Sequence, residues 1–415
     1  MSEQESAGAD RVPIFALLGA NAISQVGNMM TAVAVPWFIL EISGSAARVG
    51  LTAAAIGVGT ALSAVLSGPL VDQLGFRRAS VLTDLASGAT VATVPLLYLA
   101  GVLTFWQLLV LVLSSLNASG DSARYALIPD LARRAVMPTE RANAADRAIA
   151  RLGQVVGPLL AGVLIAMVGA SNVLFVDAAT FSASAALVAL GVSFAAAAAG
   201  VPAEAEGKRG YLSELLEGLR FMRTNALILS MVLVATVGNF LDVPLVSVIL
   251  PVYAKTIYGS AKSLGIVLGA FGAGALLGTL LFGTVGHRLP NRRLTFLSCF
   301  VTGSLLVYAT LAATPPLGVV VAAGALGGLI GGPINPLYET VIQENTPPQL
   351  LGRIFGAVNA LAMAGIPLGA ALAGFVVEGA GLVPTIVSMG AIYLIVTVGM
   401  FFNPALRHMD AGRES

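Results

Sequence analysis

Apolar residues fall in long runs separated by short polar breaks along all 415 residues. The hydrocarbon core of a bilayer takes roughly 20 apolar residues per helix. Twelve runs reach that length. In the first half they cover about 12–40, 49–71, 79–100, 104–126, 144–169 and 172–196. In the second they cover about 226–255, 263–285, 294–313, 316–338, 354–378 and 382–402. We number these spans 1 to 12 in chain order. Glycine and proline run through them, which suits membrane helices: small residues let backbones approach closely, and helix breaks are tolerated.

The polar breaks carry a repeat. Gly68-Pro-Leu-Val-Asp72-Gln-Leu-Gly75-Phe-Arg77-Arg78 lies between spans 2 and 3. A related turn, Gly283-Thr-Val-Gly-His287-Arg288-Leu289-Pro-Asn-Arg292-Arg293, begins 215 residues later. At the same offset Val35-Pro36 meets Leu250-Pro251, and Gly44-Ser45-Ala46 meets Gly259-Ser260-Ala261. The match fades after span 3. A chain that repeats at about half its length is read as a duplicated unit, here a six-helix one: residues 1–196, a linker at 197–225, and residues 226–415.

Composition sharpens this picture. The chain is 57% hydrophobic and 10% charged, with mean hydropathy +0.89. A soluble protein carries about 25% charged residues, so most of this surface is predicted to face lipid. A net charge of +1 gives no footprint for nucleic acid. Cys299, the only cysteine, excludes an intrachain disulfide, and His287 and His408 lie too far apart to suggest a metal site. No Walker-type phosphate loop or other cofactor motif is present, so neither an enzyme nor an ATP-driven pump is expected. The acidic start MSEQESAGADR lacks the basic region of a signal peptide, and span 1 is read as a retained helix.

An even number of spans places both termini on one side. The loops assigned outside hold only Arg48, Lys255 and Lys262 of the 22 basic residues. By the positive-inside rule both termini are cytoplasmic, in an inner or plasma membrane. In the linker, Leu212, Leu215, Leu216 and Leu219 recur at helical spacing. They predict an amphipathic helix over 211–225, lying flat on the inner surface or acting as a spacer.

Gly68, Asp72, Gly75, Arg77 and Arg78 resemble the signature turn between the second and third helices of the major facilitator superfamily. Gln73 stands where a basic residue is usual. The resemblance narrows further along the chain. Ala123-Arg124-Tyr125-Ala126-Leu127-Ile128-Pro129-Asp130-Leu131, then Arg141-Ala142-Asn143-Ala144, then Val156-Gly157-Pro158-Leu159-Leu160-Ala161-Gly162 are similar to the macrolide and enterobactin exporter branch, a drug:proton antiporter group. Leu216-Glu217-Gly218-Leu219-Arg220-Phe221 is similar to that branch too. Gly153-x-x-x-Gly157-Pro158-x-x-Ala161-Gly162 resembles the fifth-helix antiporter motif, with Ala161 at a usual glycine.

The resemblance implies an all-α membrane protein with twelve transmembrane helices in two six-helix bundles. The bundles would be related by a pseudo-twofold axis along the membrane normal, with a substrate cavity between them near the midplane. It implies export of a bulky lipophilic compound, drug-like, macrolide-like or siderophore-like, in exchange for protons by alternating access. Uptake, lipid movement between leaflets, and a non-transporting sensor or interaction protein are the alternatives. A monomer would suffice, since the site lies within one chain.

Charges inside a membrane are costly and mark function unless they are structural. Asp84, Asp121, Asp177 and Asp242 fall within spans. Asp242, near the middle of span 7 with Asn239 one turn away, is the first choice for proton coupling, and Asp177 the second. Asn21, Gln25 and Asn28 form a polar stripe on span 1 at i, i+4 and i+7, which lipid disfavours. With Asn239 they are read as cavity residues or as interhelical hydrogen-bonding groups. By resemblance the Gly68–Arg78 turn would gate. Asp72 would sit by the start of span 11, and Arg77 would pair with Asp121. Arg124 sits one turn from Asp121 in the same gating region, although with Arg147 and Arg151 it is also placed to snorkel to headgroups. Gly157 and Pro158 would shape the packing of span 5.

Overall fold

The computed structural model describes residues 10–114, 117–192, 211–288, 291–347 and 350–413, and among these every regular element is helical. In the first half the helices are α1 (Val12–Ser43), α2 (Ala46–Leu74), α3 (Phe76–Leu99), α4 (Phe105–Leu113), α5 (Asn117–Arg134), α6 (Thr139–Val168) and α7 (Ala170–Gly191). The linker carries α8 (Tyr211–Thr224). The second half holds α9 (Ala226–Tyr258), α10 (Ala261–Val285), α11 (Arg292–Ala312), α12 (Leu317–Glu344), α13 (Leu351–Ala380) and α14 (Leu382–Phe402).

Eleven of these helices are long and apolar enough to cross a membrane. The remaining predicted span, at about 104–126, is covered by α4 and α5 on either side of residues 115–116, which lie outside the described residues. Thr104 opens α4 with a capping box: its hydroxyl accepts from the Gln107 amide, and the Gln107 side chain accepts from the Thr104 amide. Several helices run past the apolar windows that predicted them. α6, for instance, starts at Thr139, five residues before span 5. Helical hydrogen bonding continues into the headgroup zone, where apolar content no longer reports it. α9 contains two π-helical turns, Leu245–Ile249 and Ala254–Tyr258, next to Pro244 and Pro251. Proline has no N–H to give the preceding turn, and a π-turn is one way a helix absorbs the loss.

Contacts group the chain into two compact units. Unit 1 comprises the described residues of Met1–Phe38 and Ala55–Ala205, and unit 2 those of Ile39–Ala54 and Glu206–Ser415. Within unit 1, Ile14 and Leu17 of α1 pack with Leu127, Ile128 and Leu131 of α5 and Val188 of α7, all fully buried. Within unit 2, the residues joining α1 to α2 are held by α13. The Glu378 carboxylate accepts from the Ser45 hydroxyl at 2.5 Å and from the Ala47 amide at 2.9 Å.

Several helix pairs bring their backbones close together, and one such contact recurs in both units. In unit 1, α6 lies on α1, and a Cβ at Gly157 would come within 2.4 Å of the Met29 Cβ. In unit 2, α13 lies on α9, and a Cβ at Gly369 would come within 2.2 Å of the Phe240 carbonyl. The sequences at the two contacts match: Gly157-Pro-Leu-Leu-Ala161-Gly162 and Gly369-Ala-Ala-Leu-Ala373-Gly374. The internal repeat therefore resumes here at a shifted offset. The linker helix α8 packs against the start of α13. Glu217 pairs with Arg353 at 2.8 Å and Met222 is buried. Gly218 faces the Arg353 carbonyl. Leu212, Leu215 and Leu216 lie outside the residues whose side chains are described.

Candidate functional site

Unit 1 carries a buried charged cluster. Arg124 on α5 is 1% exposed and Asp84 on α3 is 2% exposed. Arg124 Nη1 donates to both oxygens of Asp84, at 2.6 and 2.7 Å. Its Nη2 donates to Asp121 at 2.5 Å and to Ser24 Oγ on α1 at 3.3 Å. Ser184 Oγ on α7 donates to Asp84 at 2.7 Å. Four helices thus meet on one guanidinium. An isolated buried charge is too costly to keep, and two carboxylates with supporting hydroxyls make this one tolerable.

This arrangement corrects two expectations. Arg124 does not snorkel: its counter-ions are inside the bundle, so its head stays there. Asp121 is engaged by Arg124 and not by Arg77. The Arg77 guanidinium instead donates to the Ala189 carbonyl near the end of α7. Arg293, in the second copy of the turn, donates in the same way to the Phe401 carbonyl near the end of α14. Helix C-termini present unpaired carbonyls with partial negative charge, and a cationic side chain satisfies them. In both copies, then, an arginine fastens the third helix of the half to the end of the sixth. Gly75 is the N-cap of α3 at φ 74°, a left-handed conformation that favours glycine, and Arg78 is exposed. The surroundings of Gly68 and the side chains of Asp72 and His287 lie outside what is described.

Asp177 on α7 is fully buried. It accepts from the Thr31 hydroxyl of α1 at 2.5 Å and from Thr180 on its own helix at 3.0 Å. A Cβ at Gly27 would fall 2.3 Å from the Asp177 carboxylate, so this glycine admits the acid against α1. Elsewhere on α1, Asn21 donates to Asp146 on α6 at 2.7 Å, an interhelical bond. Gln25 is half-buried against Gly153, and Asn28 is half-buried. Pro158, beside Gly157, is buried in the α6 interior. Arg147 is exposed over the Tyr125 ring, and Arg151 donates to Gln154.

In unit 2, Asp242 accepts from the Tyr393 hydroxyl of α14 at 2.9 Å. Phe300 and Tyr308 of α11 stand beside that ring, with centroids 4.7 and 5.9 Å away. The Tyr308 hydroxyl donates to the Leu241 carbonyl at 3.1 Å. The acid therefore turns toward α11 and α14, inside its own unit. Asn239 donates to the Ala362 carbonyl of α13 at 2.9 Å and fixes the α9–α13 contact. Among the described residues no group of three or more His, Cys, Asp or Glu is arranged to hold a metal.

Sequence reasoning missed the Asp84–Arg124 pair and Asp146. Part of the signal was present: Asp84 is a charge inside span 3 and Arg124 one inside span 4, but the spacing does not say that they meet.

Helices long and apolar enough to cross a membrane, with ionisable groups buried among them, suit a polytopic transporter. The overall fold is that of the major facilitators. It is shared with the nucleoside transporter NupG (TM-score 0.72, 13% identity, 94% of this chain and 98% of that one). It is also shared with a bacterial homolog of the human lysosomal transporter Spinster (TM-score 0.71, 15% identity, 98% and 99%). The family model described as transmembrane secretion effector matches residues 10–415, and the chain belongs to that major facilitator family. It is 34% identical over 405 residues to the multidrug efflux pump Tap of Mycolicibacterium fortuitum, covering 96% of this chain and 98% of that protein. It is 32% identical to Tap of Mycobacterium tuberculosis (strain ATCC 25618 / H37Rv), with 98% and 97% covered. With the enterobactin exporter EntS of Citrobacter koseri it shares 29% identity over 95% and 92% of the two chains.

Proposed function

We propose that the chain exports a lipophilic small molecule from the cytoplasm in exchange for protons, by alternating access of two six-helix halves (1–196 and 226–415) joined by the 197–225 linker. It works as a monomer in the inner or plasma membrane, with both termini cytoplasmic. The observation that carries this reading is the contrast among the buried acids. Asp84 is held by the buried Arg124 guanidinium through both its oxygens. Asp177 and Asp242 are held by hydroxyls. Either can take a proton without stranding a buried cation, which is what a carrier of exchangeable protons needs.

Asp242 is assigned as the principal coupling acid and Asp177 as the second. Gln25 and Asn28 are assigned to the substrate path, with Asn21 and Asn239 positioning the helices that form it. Gly68, Asp72, Gly75, Arg77 and Arg78 set the α2–α3 turn during gating. Asp121 and Arg124 anchor the bundle that moves, and Gly157 and Pro158 set the α1–α6 contact. The names of the relatives, multidrug efflux pumps and a siderophore exporter, favour outward transport.

The test is proton release from proteoliposomes holding a pH dye, challenged with macrolides, siderophores and lipophilic dyes, wild type beside Asp242→Asn. We expect substrate-dependent flux in the wild type and its loss in the variant. Flux that survives Asp242→Asn moves coupling to Asp177. Absence of flux with every compound removes the antiport reading.

A further inference from the structure

A cavity of about 100 Å³ opens inside unit 1, away from the Asp84–Arg124 cluster. On a comparable measure a single water needs roughly 10–15 Å³, so the space admits a head group of several heavy atoms. Its walls come from α1, α2, α3, α4 and α7. They are apolar, with Val35, Val94 and Leu174 among them, except for three threonines: Thr31, Thr60 and Thr90.

The hydroxyl protons of all three threonines are already committed. Thr60 donates to the Ile56 carbonyl at 2.9 Å and Thr90 to the Ala86 carbonyl at 2.8 Å, each within its own helix. Thr31 donates to Asp177 at 2.5 Å. A hydroxyl has one donor and two acceptor lone pairs. What the threonines can still offer to the cavity is therefore acceptors alone, so a guest must bring its own donors. Behind Thr31 stands the fully buried Asp177 carboxyl, which accepts the Thr31 proton.

We propose that this cavity binds the N–H-bearing amine or ammonium head of a lipophilic molecule, with threonine lone pairs as its acceptors and the Val and Leu side chains around its hydrocarbon. The inference rests on the export reading only in treating that molecule as a substrate; the binding chemistry stands without it. A hydroxyl acceptor set separates an ammonium that carries N–H from a quaternary one of equal charge. It gives no advantage to a ligand whose polar atoms are all acceptors.

The experiment uses the full chain in nanodiscs and two fluorescent probes of identical chain and charge, a primary alkylammonium and its N,N,N-trimethyl analogue. Binding is read by anisotropy. The wild type is expected to hold the primary amine at least about tenfold more tightly, the scale of one hydrogen bond from a charged donor. Thr60→Val/Thr90→Val should cut the preference to what Thr31 alone can hold, and Thr60→Ser/Thr90→Ser should keep it, since serine retains the lone pairs. Val91→Phe, which fills the space, should weaken both probes, with unchanged melting temperatures showing that the variants fold. Equal affinity for the two probes in the wild type overturns the proposal, and so does a preference undiminished in the double valine variant. A neutral alkyl alcohol that competes equally with both probes marks a crevice for lipid chains and overturns it too. An amine preference in a protein that moves no protons upholds the site and removes only the export reading.

Discussion

At the scale of single residues, the buried acids differ in what holds them: Asp84 by a guanidinium, Asp177 and Asp242 by hydroxyls. Arg124 answers two acids, and the pair with Asp84 is almost fully buried. Removing one member of such a pair leaves its partner desolvated and alone, at a cost of about 3–5 kcal/mol. Arg124→Met is therefore expected to lower the melting temperature of the purified protein sharply. Asp84→Asn/Arg124→Met, which removes both charges, should recover most of the loss. Asp121→Asn should cost less than about 1 kcal/mol, because Asp121 is partly exposed and water shares its charge. A double variant no better than Arg124→Met alone would mean that the pair is not an energetic unit. Sequence showed that charges sit inside the membrane, at Asp84, Asp177 and Asp242, because any ionisable residue in an apolar run stands out. It did not show which charges are paired. Pairing depends on how neighbouring helices are rotated, and in sequence Arg124 is equally placed to snorkel to headgroups.

At the scale of elements, the repeat is carried by contacts more faithfully than by residue identity. The offset that fits the signature turns is lost after span 3, because loops of different length intervene. The match resumes at a shifted offset where α6 meets α1 and α13 meets α9, because there only a residue without a side chain fits. Gly369→Ala places a methyl against the Phe240 carbonyl and must push α13 off α9. Overpacking of this kind costs typically about 1–3 kcal/mol. Gly379→Ala, in the same helix but with nothing within 4 Å, is the matched control. We expect the first to lower thermal stability and transport together and the second to change neither; equal effects would show that α13 and α9 are not held by this contact. The arginines of the turns show why site roles were less legible than the fold. Their spacing marks the turn in sequence, but the partners of Arg77 and Arg293 are backbone carbonyls at the ends of α7 and α14, and a carbonyl has no sequence signature.

At the scale of the whole molecule, the distribution of basic residues and the number of crossings constrain each other. Of the three basic residues on the side read as external, Lys255 donates its ammonium to the Leu40 carbonyl at 2.5 Å, so its charge is tied to the protein and not offered to headgroups. The orientation signal thus comes from the opposite face, where Arg77, Arg78, Arg133, Arg134, Arg292 and Arg293 lie at helix ends. Reporter fusions test it. A green fluorescent protein after Ser415 should fluoresce, since it folds in the cytoplasm. Alkaline phosphatase fused after Ala100, in the break between α3 and α4, should be active, and after Met137, between α5 and α6, inactive. The opposite pattern at all three sites would invert the orientation and, with it, the direction assigned to transport. A pattern that agrees at Ser415 but shows the same side at Ala100 and Met137 would mean that α4 and α5 do not cross as one span. The number of crossings in the first half would then be odd, and α6 could not run parallel to α1, as the contacts of Gly153 with Gln25 and of Gly157 with Met29 require. The sign of activity at Met137 therefore decides whether the twelfth crossing, the one that length and hydropathy alone do not supply, exists.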